Sequence, residues 1–359
     1  MVKLTNPVRL GFVGPMLGSN PGWVVSQGEI LSELFCLEGY STRLTSTIPD
    51  RAMRLIDTTR SLLQWRNEID LVILMVFSGP AFGIADFASL LTKWIGKPLV
   101  LWLHGGSLPD FSEKHPKWVQ RVLERGDILV SPSNFLAHYF RELGFKVEVI
   151  PNVLKIENYP FRHRKQAQPH LLWMRTFEDI YRPKMAVQVL KELKKDYPEA
   201  YLTMAGQDRG QLEPLKHFVY DNGLAQNVSF TGFLDETGKR REFCAHDIFL
   251  NTNQIDNMPV SVVEAAAFGL PIVATAVGGI PFLLEDEVTG ILVGDGDVAG
   301  MAAAVARLIS EPALVACLSA NGRRLAESCA WPAVKGRWEE LFHKLQLPSS
   351  KDAERDEPS

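Results

Sequence analysis

Apolar residues along the chain come in two arrangements. Short unbroken runs, "RLGFVG" (9–14), "DLVILMV" (70–76), "PLVLWLHG" (98–105), "DILVSP" (127–132) and "KVEVIPN" (146–152), predict buried strands. Between them apolar and polar residues interleave at helical spacing, as in "SQGEILSELFCLEGY" (26–40), which closes on a glycine as helices often do. Continuous apolar strands separated by helices predict α/β structure, a parallel sheet covered on both faces.

The rhythm lapses in "PNVLKIENYPFRHRKQAQPH" (151–170), which is polar, basic and proline-rich. Residues 156–169 are therefore expected to be a linker, with "RHRK" (162–165) in solvent. The rhythm restarts with "HLLWMR" (170–175), "AYLTMAG" (200–206), "NVSFTG" (227–232), "DIFLNT" (247–252), "PIVATAV" (271–277) and "GILVG" (290–294). The helix expected over 183–197 opens on Pro183 and places Ala186, Val189, Leu190 and Leu193 on one face. The expectation is two Rossmann-like, doubly wound domains over 1–155 and 170–330, then an amphipathic helix over 331–346 that can pack back on the first domain. A disordered tail is expected over 347–359. Open α/β sheets bind ligands at the carboxyl ends of their strands, so the two domains are expected to face a cleft lined by the residues after each strand.

Composition narrows the function. The chain has 359 residues, 46% of them apolar, enough for two cores. Its net charge is −4, and the last nine residues alone hold two bases and four acids, so the body carries only about −2. Nucleic-acid binding, which needs a basic footprint, is not indicated. Cys36, Cys244, Cys317 and Cys329 form no C-x-x-C pair and no zinc spacing, and are expected to be reduced, buried thiols of a cytoplasmic protein. No secretory leader and no spanning helix is expected. Peripheral contact with the inner face of a membrane stays open, with "RAMRLIDTTRSLLQWR" (51–66) as one place for it, although its apolar residues are expected to face the core.

One stretch raises a chemical question. "NQIDNMPVSVVEAAAFGLPIVATAVGG" holds two carboxylates, Asp256 and Glu264, among apolar and small residues, where a carboxylate is costly unless satisfied. Two readings stand. Ser261 and Glu264 fit a capping box, with Gly269 and Pro271 ending the helix, and Asp256 then starts a turn. Alternatively, Asp256, after the strand "DIFLNT", and Glu264, at a helix N-terminus, both lie at the cleft and bind a ligand. A carboxylate can accept two bonds from a ribose diol, and helix N-termini and the Gly278-Gly279 pair can offer N–H groups to phosphate.

This segment, through "IPFLLEDEVTGILV", resembles the donor-binding segment of the retaining glycosyltransferases of family 4, with an acid, seven residues, then Glu, followed by Gly-Leu-Pro-Ile-Val-Ala-Thr. Asp256 stands where Glu is commoner. The resemblance implies the GT-B fold and a nucleotide-sugar donor, a UDP- or GDP-sugar, as a substrate with no further cofactor. It implies Glu264 on the donor ribose, Asp256, Asn257 and Met258 at the donor sugar, and Arg175 on the pyrophosphate. A Lys usual five residues after that Arg is Ile180 here, so Lys184 or Arg182 is the second cation. Gly206, Phe233 and Leu234 match the turn and base-cradling segments, Gly18 and Gly22 match a glycine-rich loop near the phosphates, His104 matches a histidine that contacts sugar or acceptor, and Asn152 matches a hinge asparagine. The same resemblance implies transfer of a hexosyl group to a saccharide, lipid-linked saccharide or small-molecule acceptor, with retention; because the motifs show no acidic metal pair, the transfer is expected to be metal-independent. An epimerase of the same architecture and a non-catalytic nucleotide-sugar-binding protein are the alternatives.

Overall fold

The computed structural model describes residues 8–345 and 347. The tail expected over 347–359 lies outside the described residues, Leu347 excepted. Two compact units result, residues 1–153 with 331–359, and residues 154–330.

The first unit runs β1 (Arg9–Val13), α1 (Gln27–Leu37), β2 (Ser41–Thr45), α2 (Arg51–Trp65), β3 (Leu71–Val76), α3 (Pro80–Trp94), β4 (Leu99–Leu103), α4 (Leu108–Lys114), α5 (Pro116–Leu123), β5 (Ile128–Ser131), α6 (Asn134–Glu142) and β6 (Val147–Val149). Its strands form a six-stranded parallel sheet in the order β2-β1-β3-β4-β5-β6. β3, "LVILMV", is buried at every position, as a central strand covered on both faces must be. β2 was not expected from the sequence. It is a polar edge strand, "STRLT", with only Thr45 buried, so it lacks the apolar run that marks its neighbours.

A capping box starts α1: Ser26 Oγ accepts from Glu29 N–H, and Glu29 Oε2 accepts from Ser26 N–H at 2.7 Å. The final helix, α14 (Trp331–Lys344), belongs to this unit. Trp331, Val334, Trp338, Leu341 and Phe342 enter a core with Leu10, Phe12, Phe35 and Trp102, and the Trp331 and Phe35 rings meet edge to face at 4.9 Å.

The second unit runs β7 (His170–Met174), α7 (Pro183–Leu193), β8 (Tyr201–Ala205), α8 (Leu212–Asp221), β9 (Val228–Gly232), α9 (Glu236–Ala245), β10 (Ile248–Asn251), α10 (Val260–Phe268), β11 (Ile272–Thr275), α11 (Ile280–Leu283), β12 (Ile291–Val293), α12 (Val298–Ser310) and α13 (Pro312–Ser328). Its sheet, also parallel and six-stranded, has the order β12-β11-β10-β7-β8-β9. α10 is buried from Ser261 to Phe268 and shares its core with α13; Gly322 meets Ala266 there with nothing between them.

Three expectations are corrected here. Residues 156–169 are packed on the second unit. Arg164, read as solvated, is fully buried and donates to the carbonyls of Phe243 (2.7 Å), His246 (2.7 Å) and Phe268 (2.8 Å). Five donors on one planar group allow it to satisfy several orphan carbonyls at once, which a solvated-linker reading overlooks. Of the four free cysteines only Cys329 is buried; Cys36 and Cys317 are exposed. In α2, Met53, Ile56 and Leu63 face solvent, while Arg54 and Thr58 are buried. Among the described residues no single helix is long and apolar enough to cross a membrane.

Candidate active site

Arg175 immediately follows β7 and is largely buried. Its N–H donates to the Ala205 carbonyl at 3.0 Å, and its guanidinium lies 4.3 Å from the centre of the Tyr181 ring. It forms an ion pair with Asp256. Burial alone would lower its pKa, but the carboxylate outweighs that and the net shift is upward, so the group stays charged. Its Nε is buried with no partner among the described residues. Gly206, which follows β8, is required here: its φ is +152°, and a Cβ there would sit 1.8 Å from the Arg175 carbonyl oxygen.

Asp256 lies in the loop between β10 and α10, and both of its oxygens are engaged. Oδ2 takes Arg175 and Asn253 Nδ2 (2.7 Å), and Oδ1 takes the Asn257 N–H (2.8 Å). Gly278 and Gly279 exist for this loop. A Cβ on Gly278 would meet the Asp256 carbonyl oxygen at 2.4 Å, and one on Gly279 the Asn257 oxygen at 1.7 Å. The Gly279 N–H donates to that Asp256 carbonyl at 2.7 Å, so it is already committed and is not offered to phosphate as expected.

Glu264 is buried, and the capping-box reading of it is overturned. α10 starts at Val260 with Pro259 at its N-cap, and no side chain among the described residues caps it. Proline has no N–H for a carboxylate to reach, and its fixed φ suits a helix entry, so the helix begins earlier than the Ser261 pattern suggests. Ser261 Oγ is buried without a partner among the described residues. Glu264 Oε1 instead accepts from Lys239 Nζ at 2.7 Å and from the Tyr159 hydroxyl at 3.1 Å. Oε2 has no partner among the described residues. Lys239, on α9, is subject to a burial effect that would lower its pKa, but Glu264 outweighs it and the shift is upward. Burial, then Glu264, pushes the Tyr159 hydroxyl well above its usual range, so it remains a donor.

Sequence reasoning missed both partners of Glu264. Lys239 sits in the charged run "GKRREF", which looks like any solvated helix face, and Tyr159 lies in the stretch read as a linker. Tyr159 packs on Phe268 of α10 with ring centres 5.4 Å apart, which fixes its hydroxyl over the helix.

The remaining expected residues are placed as follows. Asn257 and Met258 are buried beside Asp256. Leu234 packs against the α10 core while Phe233 is exposed. Lys184 is exposed, its ammonium 4.6 Å from the centre of the Phe218 ring, and Arg182 is ion-paired with Asp295. In the first unit, Gly18 N–H donates to Glu29 Oε1 at 3.0 Å, which ties it to the α1 capping box, and Gly22 lies in the following exposed loop. Asn152 is buried after β6. His104 follows β4, stacked on Phe77 (5.3 Å) and close to Trp102 (4.4 Å). It is buried, its Nε2 has no partner among the described residues, and burial lowers its pKa to about 3. It is a neutral ring at ordinary pH. Among the described residues no cluster of three or more His, Cys, Asp or Glu is arranged to hold a metal ion.

Residues 168–311 match the family model described as Glycosyl transferases group 1. That segment contains Arg175, Lys239, Asp256 and Glu264. The amylovoran biosynthesis glycosyltransferase AmsK of Erwinia amylovora is 28% identical over 251 residues, 66% of this chain and 61% of that protein. A glycogen synthase of Mycobacterium tuberculosis is 25% identical over 301 residues, 79% of this chain and 69% of its own length. Among solved structures, the sucrose-phosphate synthase from Thermosynechococcus elongatus superposes with a TM-score of 0.77 at 15% identity, covering 94% of this chain and 99% of that one. Anabaena HepE in complex with UDP and glucose gives 0.72 at 17% identity, with 94% and 100% covered. The fold is GT-B. Its two Rossmann-like sheets are those of the two units, and the segment with the paired acids lies wholly in the second.

Proposed function

We propose that the protein is a glycosyltransferase that moves a hexosyl group from a nucleotide-sugar donor to a saccharide, lipid-linked saccharide or small-molecule acceptor, with retention of anomeric configuration. The observation that carries this reading is a pair of preformed ion pairs, Arg175–Asp256 and Lys239–Glu264, within the segment that matches the group 1 glycosyl transferases. Arg175, Asp256 and Glu264 have donor-binding tasks, and Lys239 holds Glu264 in place. Arg175 Nε, a buried donor without an acceptor, suits a diphosphate oxygen, and Ser261 Oγ on the first turn of α10 suits another. Glu264 keeps Oε2 for a ribose hydroxyl while Oε1 is held. Asp256, with Asn257 and Met258, is assigned to the hexose. For the second cation, Lys184 is favoured over Arg182. Among the described residues Lys184 is held only by a cation–π contact, about 0.5–1 kcal/mol at an exposed site, whereas Arg182 would have to leave Asp295.

Charge develops on the departing diphosphate, and fixed positive groups there stabilise the transition state more than the ground state. The anomeric carbon–phosphate oxygen bond breaks as the acceptor oxygen bonds to that carbon from the same face. The acceptor proton passes to the leaving phosphate oxygen. Both oxygens of Asp256 are committed to hydrogen bonds and Glu264 is assigned to the ribose, so neither is assigned as a nucleophile. HepE was solved with UDP-glucose, which makes UDP-glucose the first donor to try and a GDP-sugar the second.

The test is proton NMR of the first product formed from an α-linked donor, with intact-mass spectrometry during turnover. An α-linked product with no enzyme adduct is expected; a β-linked product overturns the reading, and an adduct on Asp256 overturns the same-face mechanism. Turnover is expected to survive EDTA, because the phosphates are assigned to Arg175, Lys184 and helix N–H groups.

A further inference from the structure

α2 and α3 are laid side by side on one face of the first sheet, where Leu62, Phe82, Ala85 and Ala88 enter a common core. Their outer faces are unusual. On α2, Met53, Ile56 and Leu63 point to solvent, with Ile56 59% exposed. The inward face holds polar groups: Thr58 is buried, and Arg54 is nearly so, donating to the carbonyls of Ile48 (2.9 Å) and Pro49 (2.7 Å). Burying a guanidinium while exposing Ile and Met runs against the usual sorting of a surface helix. On α3, Phe87, Leu90 and Trp94 recur at positions i, i+3 and i+7, and Trp94 is 73% exposed. Leu143 and Tyr220 are exposed singly, which is ordinary, and the adjacent Val24 and Val25 make only a pair of small side chains. Six large apolar side chains on two adjacent helices form a patch of the kind that marks an interaction surface.

The charges on this face select its occupant. Arg51, Arg60 and Arg66 are exposed and have no ion-pair partner among the described residues. Arg60 lies within the apolar row, one turn from Ile56 and from Leu63. The one acid of α2, Asp57, is turned aside and accepts from Thr45 Oγ1 at 3.2 Å. Beyond the C-terminal end of α3 lies an open groove of about 530 Å³ lined by Lys93, Lys97, Asp127 and Lys344; Lys93 pairs with Asp127 and Lys344 with Glu148, so Lys97 is the cation it adds to this face. A second copy of the chain docked here would set arginine against arginine. An anionic bilayer would take the apolar row at its headgroup boundary and the arginines at its phosphates.

The geometry points to α2 and α3 as a docking surface for an anionic lipid membrane, an inference independent of the proposed transfer reaction. The test is sedimentation of the full chain with phosphatidylcholine vesicles and with phosphatidylcholine–phosphatidylglycerol vesicles, at low and high salt. Wild type is expected to bind the anionic vesicles and to be released by salt. Ile56→Ser/Leu90→Ser/Trp94→Ser is expected to bind about tenfold or more weakly. Arg51→Gln/Arg60→Gln/Arg66→Gln is expected to lose the preference for the anionic vesicles by a similar factor, about tenfold. All of these side chains are exposed, so both variants should melt like wild type. Wild-type protein that ignores anionic vesicles, or variants that bind them as wild type does, would overturn the proposal. So would a concentration-dependent dimer that the apolar variant abolishes without any vesicle binding, which would assign the face to a second copy.

Discussion

The residues that follow the strands differ between the two sheets. After β7 and β10 come Arg175 and Asp256, already paired, and α10 then brings in Glu264 with Lys239. After β4 comes His104, an uncharged ring held by Phe77 and Trp102, with no ion pair among the described residues. The second sheet carries fixed, paired charge after its strands, and the first an uncharged imidazole buried between aromatic rings. Fixed charge costs desolvation unless partners are preset, so the second sheet needed Lys239, Tyr159, Asn253 and a glycine pair to build its site. The uncharged ring needed only apolar neighbours.

The largest effect that can break this contrast is at Arg175. Arg175→Ala should lower turnover by about 10²–10³, the usual result of removing one preorganised donor. It should also destabilise the fold by about 3–5 kcal/mol, because Asp256 would be left uncompensated. Steady-state kinetics and chemical denaturation read the two effects. Arg175→Lys separates them: it should recover much of the stability but little turnover, since an ammonium cannot serve Asp256 and a phosphate together in the guanidinium's geometry.

Next comes the support of Glu264. Lys239→Met should cost about 2–3 kcal/mol of stability, and Tyr159→Phe about 1 kcal/mol. The pH dependence has a definite sign. Lys239 has a raised pKa in the folded state, so its contribution is complete below the ordinary value of 10.5 and is lost as pH climbs past it. Denaturation curves of wild type and Lys239→Met should therefore converge in strong alkali and stay apart at neutral pH.

The first sheet should respond at the acid end. His104 has a folded-state pKa of about 3 against 6.5 when free, so the unfolded chain takes up the proton first. Stability should be full above pH 6.5 and decline as pH falls towards 3, by up to a few kcal/mol. His104→Phe should flatten that decline in an acid titration of unfolding; an unchanged slope would show that the ring is not kept neutral by its walls. The smallest effect is expected at Ser261. Ser261→Ala should change stability by no more than about 0.5 kcal/mol, where loss of a true N-cap costs about 1.

Strand positions and the acids were legible because each has a local signature: an apolar run, or a carboxylate in apolar company. β2 was illegible because an edge strand can be polar. Arg164, Lys239 and Tyr159 were illegible for another reason. What satisfies a buried charge is set by tertiary contacts between residues 25 to 105 positions apart, and no local pattern encodes them. The same holds for the outward face of α2. Its periodicity was readable, but which side of the helix meets the sheet was not.

The central claim is that the charged site of the second unit binds a nucleotide sugar through Glu264. Isothermal titration of UDP-glucose and GDP-sugars into wild type and Glu264→Gln tests it most directly. The account predicts that wild type binds one of these donors, and that Glu264→Gln, melting close to wild type, binds the same donor about tenfold or more weakly, a loss of at least about 1.4 kcal/mol. Equal affinity for the two proteins, or no binding of any of these donors to wild type, would contradict it.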